Sequence, residues 1–240
     1  MSGLVLAIGG RKGGVGKTST AVALASIAAK HGKSVLIIDV DSQCNVAASL
    51  SVDVDAKGIV QLLAGEDVEP SVCPHEPLIR VLAGSTGFND ALAESINEDA
   101  LAVVAKTFPA DLTIIDCPPG REAVDRLAFA AADIVLAVAE PTPHAVTGAA
   151  RVLAELPAKK RAAVVIQKLD GRLSLHKNVR QSATMLFAGR TTFEVNTDTL
   201  LVAAMALGVP YCQHLAKNKK TSPRALAGLE AIYAWVMKKA

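Results

Sequence analysis

Short apolar runs alternate with longer stretches of helical period along most of this chain. Leu4–Ile8, Ser34–Asp39, Ile79–Ala83, Leu112–Asp116, Ile134–Ala139 and Ala162–Gln167 are rich in Val, Ile, Leu and Ala, with few polar interruptions. Continuous rather than alternating hydrophobicity marks strands covered on both faces. Between and after them, helices are predicted over Thr18–His31, Asn89–Lys106, Ala123–Ala132, His144–Leu156, Leu175–Ala188, Thr199–Leu207 and Pro223–Lys239. This alternation predicts a doubly wound, mostly parallel α/β sheet with helices on both faces. Right-handed crossovers bring the loops leaving the strand C-termini to one edge. No repeat, low-complexity tract or linker divides the chain, so residues 1–240 are expected to form a single domain. Lys217–Pro223 is a polar, basic break, read as a loop before the last helix.

Composition narrows this picture. Hydrophobic residues make up 51% but aromatics only 3%, so the core is aliphatic. No apolar run reaches the roughly 18–20 residues that span a bilayer. Leu4–Gly9 is too short for a signal-peptide core. Cys44, Cys73, Cys117 and Cys212 are scattered without a C-x-x-C pair, which suggests neither a disulfide framework nor a zinc site. A cytoplasmic location is expected. Net charge is only +2, but residues 1–156 carry 11 Lys/Arg against 19 Asp/Glu, and residues 157–240 carry 14 against 4. Such asymmetry fits either a polyanion-binding surface or simple solvation of exposed helices.

The chemistry is concentrated after the first strand. Lys12-Gly13-Gly14-Val15-Gly16-Lys17-Thr18-Ser19 lies between a strand and a helix. Its glycines let successive backbone N–H groups turn toward phosphate oxygens, and the helix N-terminus adds partial positive charge. Lys17 is placed to reach the β- and γ-phosphates of ATP, and the Thr18 hydroxyl to ligate Mg²⁺. The spacing departs from G-x-x-x-x-G-K-[ST]: Arg11 replaces the first glycine and an extra lysine, Lys12, follows.

Two carboxylate-bearing segments accompany the loop. Val35–Asn45 is a buried strand that ends in Asp39 and Asp41, two residues apart and so toward one side, where a metal and a water would sit. Asp pairs also end strands or cap helices without other duty. In Leu112–Gly120, four β-type residues precede Asp116, the way a phosphate-loop fold supplies a second carboxylate to Mg²⁺.

The sequence KGGVGKTS resembles the deviant P-loop ATPases, which include the ParA partition and MinD division-site ATPases. The resemblance covers nearly the whole chain and is most specific over residues 9–45 and 112–120. It implies that Lys12 crosses a dimer interface to contact the phosphates of the other subunit, so that ATP drives a sandwich homodimer. Asp39-Val40-Asp41-Ser42-Gln43-Cys44-Asn45 is similar to D-x-D-P-Q-x-N, which implies that Asp41 orients the attacking water and Asp39 lies near the metal's water shell. Ser42 replaces the usual proline. Asp116-Cys117-Pro118-Pro119 resembles the D-x-P-P switch, with no second cysteine placed to match a nitrogenase-type cluster. Gln167 falls where relatives carry an adenine-recognising Asn, and Asn196 where they often have a proline beside the base.

On the same resemblance, the leading expectation is a small ParA-type ATPase that binds DNA non-specifically as a dimer, is nucleoid-associated, and positions a DNA or organelle cargo. Hydrolysis is expected to be slow and stimulated by a ParB-like centromere-binding or adaptor protein. Lys217, Lys219, Lys220 and Arg224, joined by Arg172, Lys177 and Arg180, are the candidate DNA contacts. Thr197 and Leu200 stand where some chromosomal relatives carry DNA-contacting arginines. No helix-turn-helix precedes the loop, so operator-specific repression is not expected. Two alternatives remain. The tail Leu226–Lys239 is amphipathic and basic at its end, as in a MinD-like membrane ATPase, or else is the closing helix of the fold. A metabolic ligase on the same scaffold would need its own polar substrate cluster, and no segment presents one clearly.

Overall fold

Eight strands form one sheet in the computed structural model, which describes residues 3–53, 57–219 and 222–238. They are β1 (Leu4–Gly9), β2 (Val35–Asp39), β3 (Ser71–Val72), β4 (Ile79–Leu82), β5 (Leu112–Asp116), β6 (Ile134–Ala139), β7 (Arg161–Leu169) and β8 (Thr191–Asn196). Their order is β3-β4-β2-β5-β1-β6-β7-β8, and every neighbouring pair is parallel except β3 against β4. The central strands β2, β5 and β6 are buried at every residue, as their unbroken apolar runs require.

Helices α1 (Lys17–Lys30), α2 (Asn45–Ser49), α3 (Ile59–Leu63), α4 (Asp90–Ser95), α5 (Ala100–Thr107) and α6 (Glu122–Ala131) belong to the first part of the chain. The rest are α7 (Pro143–Glu155), α8 (Ser174–Leu186), α9 (Thr199–Ala206), α10 (Tyr211–Lys217) and α11 (Leu226–Met237). Helix α1 is buried continuously from Thr20 to Ala29. Its many alanines let α9, α10, α11 and the sheet approach closely.

The doubly wound fold matches the sequence expectation, with differences of detail that include the unpredicted short elements β3, α2 and α3. Asn89–Lys106 is two helices, because the chain becomes extended at Ile96 and Asn89 caps only the first through Leu92 N (3.0 Å). Strand β8 lies at the sheet edge with Val195 its one fully buried residue, so it lacks the apolar run that marks the other strands. Helix α10 follows a turn at Gly208-Val209-Pro210 and is too short for a clear period. Helix α11 begins at Leu226 rather than Pro223 and packs Leu229, Ile232 and Val236 against α1 and β8. The tail is therefore a closing helix of the fold. Among the described residues no single helix is long and apolar enough to cross a membrane.

Asp198 fastens the last third of the chain. Its carboxylate accepts hydrogen bonds from Leu200 N (2.8 Å), the Tyr211 hydroxyl (2.8 Å) and Ala225 N (2.9 Å). One buried anion thus starts α9, anchors α10 and sets the entry to α11.

Candidate nucleotide-binding site

The loops leaving β1, β2 and β5 meet at one edge of the sheet. Gly16 adopts φ 103°, a conformation that leaves a side chain strained, and a Cβ there would stand 3.4 Å from Gln167. This turn swings the chain from β1 into α1, where Lys17 begins the helix. Lys17 is almost fully buried, and its ammonium donates to Lys12 O (3.4 Å) across the loop. Thr18 donates its hydroxyl to Asp116 Oδ2 (2.6 Å). Ser19 is half-buried on the first turn, while Lys12, Gly13 and Gly14 are exposed at the mouth and Val15 anchors it in the core.

Register brings the carboxylates together. Asp39 on β2 pairs directly with Asp116 on β5, so both project from adjacent strand ends. Asp39 accepts Asp41 N (2.9 Å) on one oxygen and Val46 N (3.3 Å) on the other. It organises the loop that carries Asp41, whose own Oδ1 accepts Gln43 N (3.1 Å). Asp116 Oδ1 is buried and has no hydrogen-bond partner. Burial lifts the Asp116 carboxyl to about 7, against the hydrogen bond from Thr18 and the charge of Lys17. Burial and the neighbouring Asp116 charge push Asp39 up as well.

An orphaned carboxylate oxygen beside a hydroxyl and a second acid fits a hard, oxygen-loving cation. Among the described residues, no three His, Cys, Asp or Glu side chains converge to cage a metal unaided. Mg²⁺ characteristically takes one or two protein ligands, with phosphates and water supplying the rest. Thr18 and Asp116 have the chemistry for that role, whereas both Asp39 oxygens already serve the backbone.

Raised carboxyls have a consequence for stability. Asp116 and Asp125 both titrate near 7 in the fold and near 4 in the unfolded chain. Between these values the unfolded state binds fewer protons, so stability falls as pH rises from about 4 to about 7. The slope is about 1.4 kcal/mol per pH unit for each group. The Tm of the ligand-free protein should drop across this range, and Asp125→Asn should flatten the drop, as followed by calorimetry in a pH series.

Beyond the phosphate loop, β7 carries a register shift between Ile166 and Leu169. This irregularity turns Gln167 inward, where it is buried and donates to Thr20 Oγ1 (2.7 Å). Gln167 therefore packs behind the loop at Gly16, and in this structure it does not present its amide to an adenine. Its neighbour Lys168, at φ 59°, instead reaches over the loop and bonds Gly14 O. Two residues on, a cavity of about 340 Å³ opens at the C-terminal ends of β7 and β8. Asn196, Asp170, Asp198 and Arg224 are among its lining residues, so Asn196 is exposed where a base could lie.

Lys12 projects outward, half-exposed, and pairs with Glu140 at the end of β6. Sequence reasoning missed this partner: 128 positions separate the two residues, and only the β1–β6 pairing brings them together.

A family model described as an AAA domain matches residues 3–166. The chain is 30% identical to the chromosome-partitioning ATPase Soj of Thermus thermophilus, an alignment that covers 92% of this chain and 91% of that protein. The chain belongs to the ParA/MinD family of P-loop ATPases. The fold agrees with two solved structures. Septum site-determining protein MinD of Pyrococcus horikoshii, complexed with Mg-ADP, superposes with a TM-score of 0.79 at 20% identity, covering 98% of this chain and 96% of that one. An ATP complex of a Cyanothece McdA variant superposes with 0.76 at 18% identity, covering 100% and 99%.

The candidate DNA contacts of this ParA/MinD-family chain fall into separate groups. Arg172 and Arg224 line the cavity beside Asn196, and Lys177 and Arg180 line an adjoining hollow. Lys217 ends α10, and Lys219 lies near Lys30 across a third depression. Lys220 is outside the described residues. Two of the candidates have counter-ions within the chain. Arg172 bonds Asp170 (2.9 Å from Nε) and holds that carboxyl below its ordinary range, and Arg180 pairs with Glu194. Among the described residues no ion pair involves Lys177, Lys217, Lys219 or Arg224.

Proposed function

We propose that this chain is a ParA-type positioning ATPase that dimerises on ATP, binds DNA without reading its sequence and is released by hydrolysis. The observation that carries the reading is Lys12. It stands exposed at the mouth of the phosphate loop, one residue from the glycines, while Lys17 is buried beneath it. A second lysine aimed away from its own site is suited to the phosphates of a second copy.

In this account the loop amides and Lys17 hold the triphosphate, and the cavity at Asn196 receives the base. Thr18 and Asp116 would hold Mg²⁺, which would supply neutralisation of the phosphate charge. Asp41 orients the attacking water rather than strongly activating it, which keeps turnover slow until a partner protein stimulates it. The 30% identity to the partition ATPase Soj, and the cations Lys177, Lys217, Lys219 and Arg224, which make no ion pair among the described residues, support the DNA arm of the reading over a membrane-bound or metabolic role. The test is sedimentation of the protein with Mg²⁺ and ATP, ADP or no nucleotide. A dimer with ATP alone is expected; a monomer in all three states would defeat the proposal.

Glu140 gives this dimerisation a threshold. Its ion pair with Lys12 must open before Lys12 can reach a partner. Glu140→Gln should lower the ATP concentration at half-maximal dimerisation by about twofold to fivefold, the worth of a partly exposed pair. Titration by light scattering checks this, and an unchanged midpoint would remove Glu140 from the account.

A further inference from the structure

Arg11, at the position of the common phosphate loop's first glycine, is 14% exposed and reaches into a group of three carboxylates. Its Nη1 lies 3.6 Å from Glu122 and 3.5 Å from Asp125, both in the first turn of α6, and its Nη2 bonds Glu155, the last residue of α7. The fold is shaped to admit it. Gly148 on α7 faces the stem, and a Cβ there would come within 3.1 Å of Arg11 Cβ. Gly120, at φ 64°, closes the Pro118-Pro119-Gly120 loop against the Arg11 carbonyl, where a Cβ would stand at 3.4 Å.

Asp125 is the unusual member of the group. It is 1% exposed, and neither of its oxygens has a hydrogen-bond partner; Arg11 Nη1 lacks one too. At 3.5 Å the two attract by charge without the geometry of a hydrogen bond. A buried acid without donors depends on its counter-ion, and removing one partner of such a pair leaves the other uncompensated. Arg11 is the cation within 4 Å of all three carboxylates, immediately beside a loop built to receive a triphosphate. Without Arg11 the more exposed Glu122 and Glu155 charges would face the incoming phosphates, the buried Asp125 would lose its counter-ion, and the loop would be released from α6 and α7.

We propose that Arg11 is a positioning residue for nucleotide binding, tying the mouth of the phosphate loop to α6 and α7 through Asp125 while shielding the phosphates from Glu122 and Glu155. It acts on affinity and leaves the chemical step to other residues. The proposal rests on the nucleotide-site reading above.

Steady-state ATPase kinetics of the full chain, with Tm measured in parallel, test it. Arg11→Gln should raise KM for ATP at least tenfold while kcat stays within threefold. Adding Asp125→Asn to that variant should recover at least threefold of the loss, because the buried acid left without its counter-ion is removed. Gly148→Ala is the control for folding. Alanine favours the helix, so Tm should hold, yet its methyl displaces the Arg11 stem and should raise KM about threefold. A KM within twofold of the unaltered protein in Arg11→Gln, or in Gly148→Ala should Arg11→Gln not fold, would overturn the proposal whatever happens to Tm. Failure of the unaltered protein to turn over ATP would instead overturn the nucleotide-site reading itself.

Discussion

Asp41→Ala should lower kcat for ATP by about a hundredfold, or about 2.7 kcal/mol of activation free energy, and leave nucleotide affinity nearly unchanged. The carboxylate is 7% exposed and stands at the end of the loop that Asp39 organises. Its own backbone N–H, not its side chain, completes the Asp39 interaction, so alanine preserves that hydrogen bond. What is lost is the acceptor that aligns a water on the γ-phosphate. Because hydrolysis is what releases the dimer in this account, the variant should accumulate as an ATP-bound dimer. Single-turnover hydrolysis together with size-exclusion chromatography in ATP checks both halves. Normal turnover would take Asp41 out of the role.

The second large effect is expected at Lys12. Lys12→Ala removes a cation that the structure leaves outside its own phosphate loop, paired with Glu140. Its contribution is realised only across a dimer interface, where it would face a partner's phosphates in a desolvated setting. Truncating one side of a buried charge-assisted contact costs about 2–5 kcal/mol. The dimer dissociation constant in ATP should therefore rise at least thirtyfold. Binding of ATP to the monomer should persist, since Lys17 and the loop amides remain. Sedimentation equilibrium and a fluorescent-nucleotide titration separate the two quantities. Equal loss in both would mean that Lys12 acts within its own subunit.

These two residues were legible in the sequence because their signals are local. A strand that ends in Asp39 and Asp41, and a lysine beside a glycine turn, need only neighbouring residues to be recognised. The same holds for β1, β2 and β5, whose apolar runs are unbroken. Contacts made across the sheet were not legible. Glu140 meets Lys12, and Asp125 meets Arg11, only because β1 lies beside β6 and α6 returns over β1. Gln167 was read by resemblance alone, as the counterpart of an adenine-recognising Asn, and the irregularity in β7 turns this side chain inward and Lys168 outward. Charge counts along the sequence also overstated the free cations, since Arg172 and Arg180 are matched by Asp170 and Glu194. The edge strand β8 escaped notice because a strand with one solvated side and no outer neighbour carries little apolar signal.

The central claim, that ATP converts this chain into a DNA-binding dimer, is tested most directly by binding to non-specific double-stranded DNA. The comparison is between ATP, ADP and no nucleotide, each with Mg²⁺ and across a salt series. The account predicts binding with ATP alone, weakening with salt at a log–log slope of roughly −0.9 for each neutralised phosphate. Replacing Lys217, Lys219 or Arg224 by alanine should reduce that slope by about one apiece. Absence of binding in every nucleotide state, or binding indifferent to nucleotide, would contradict it.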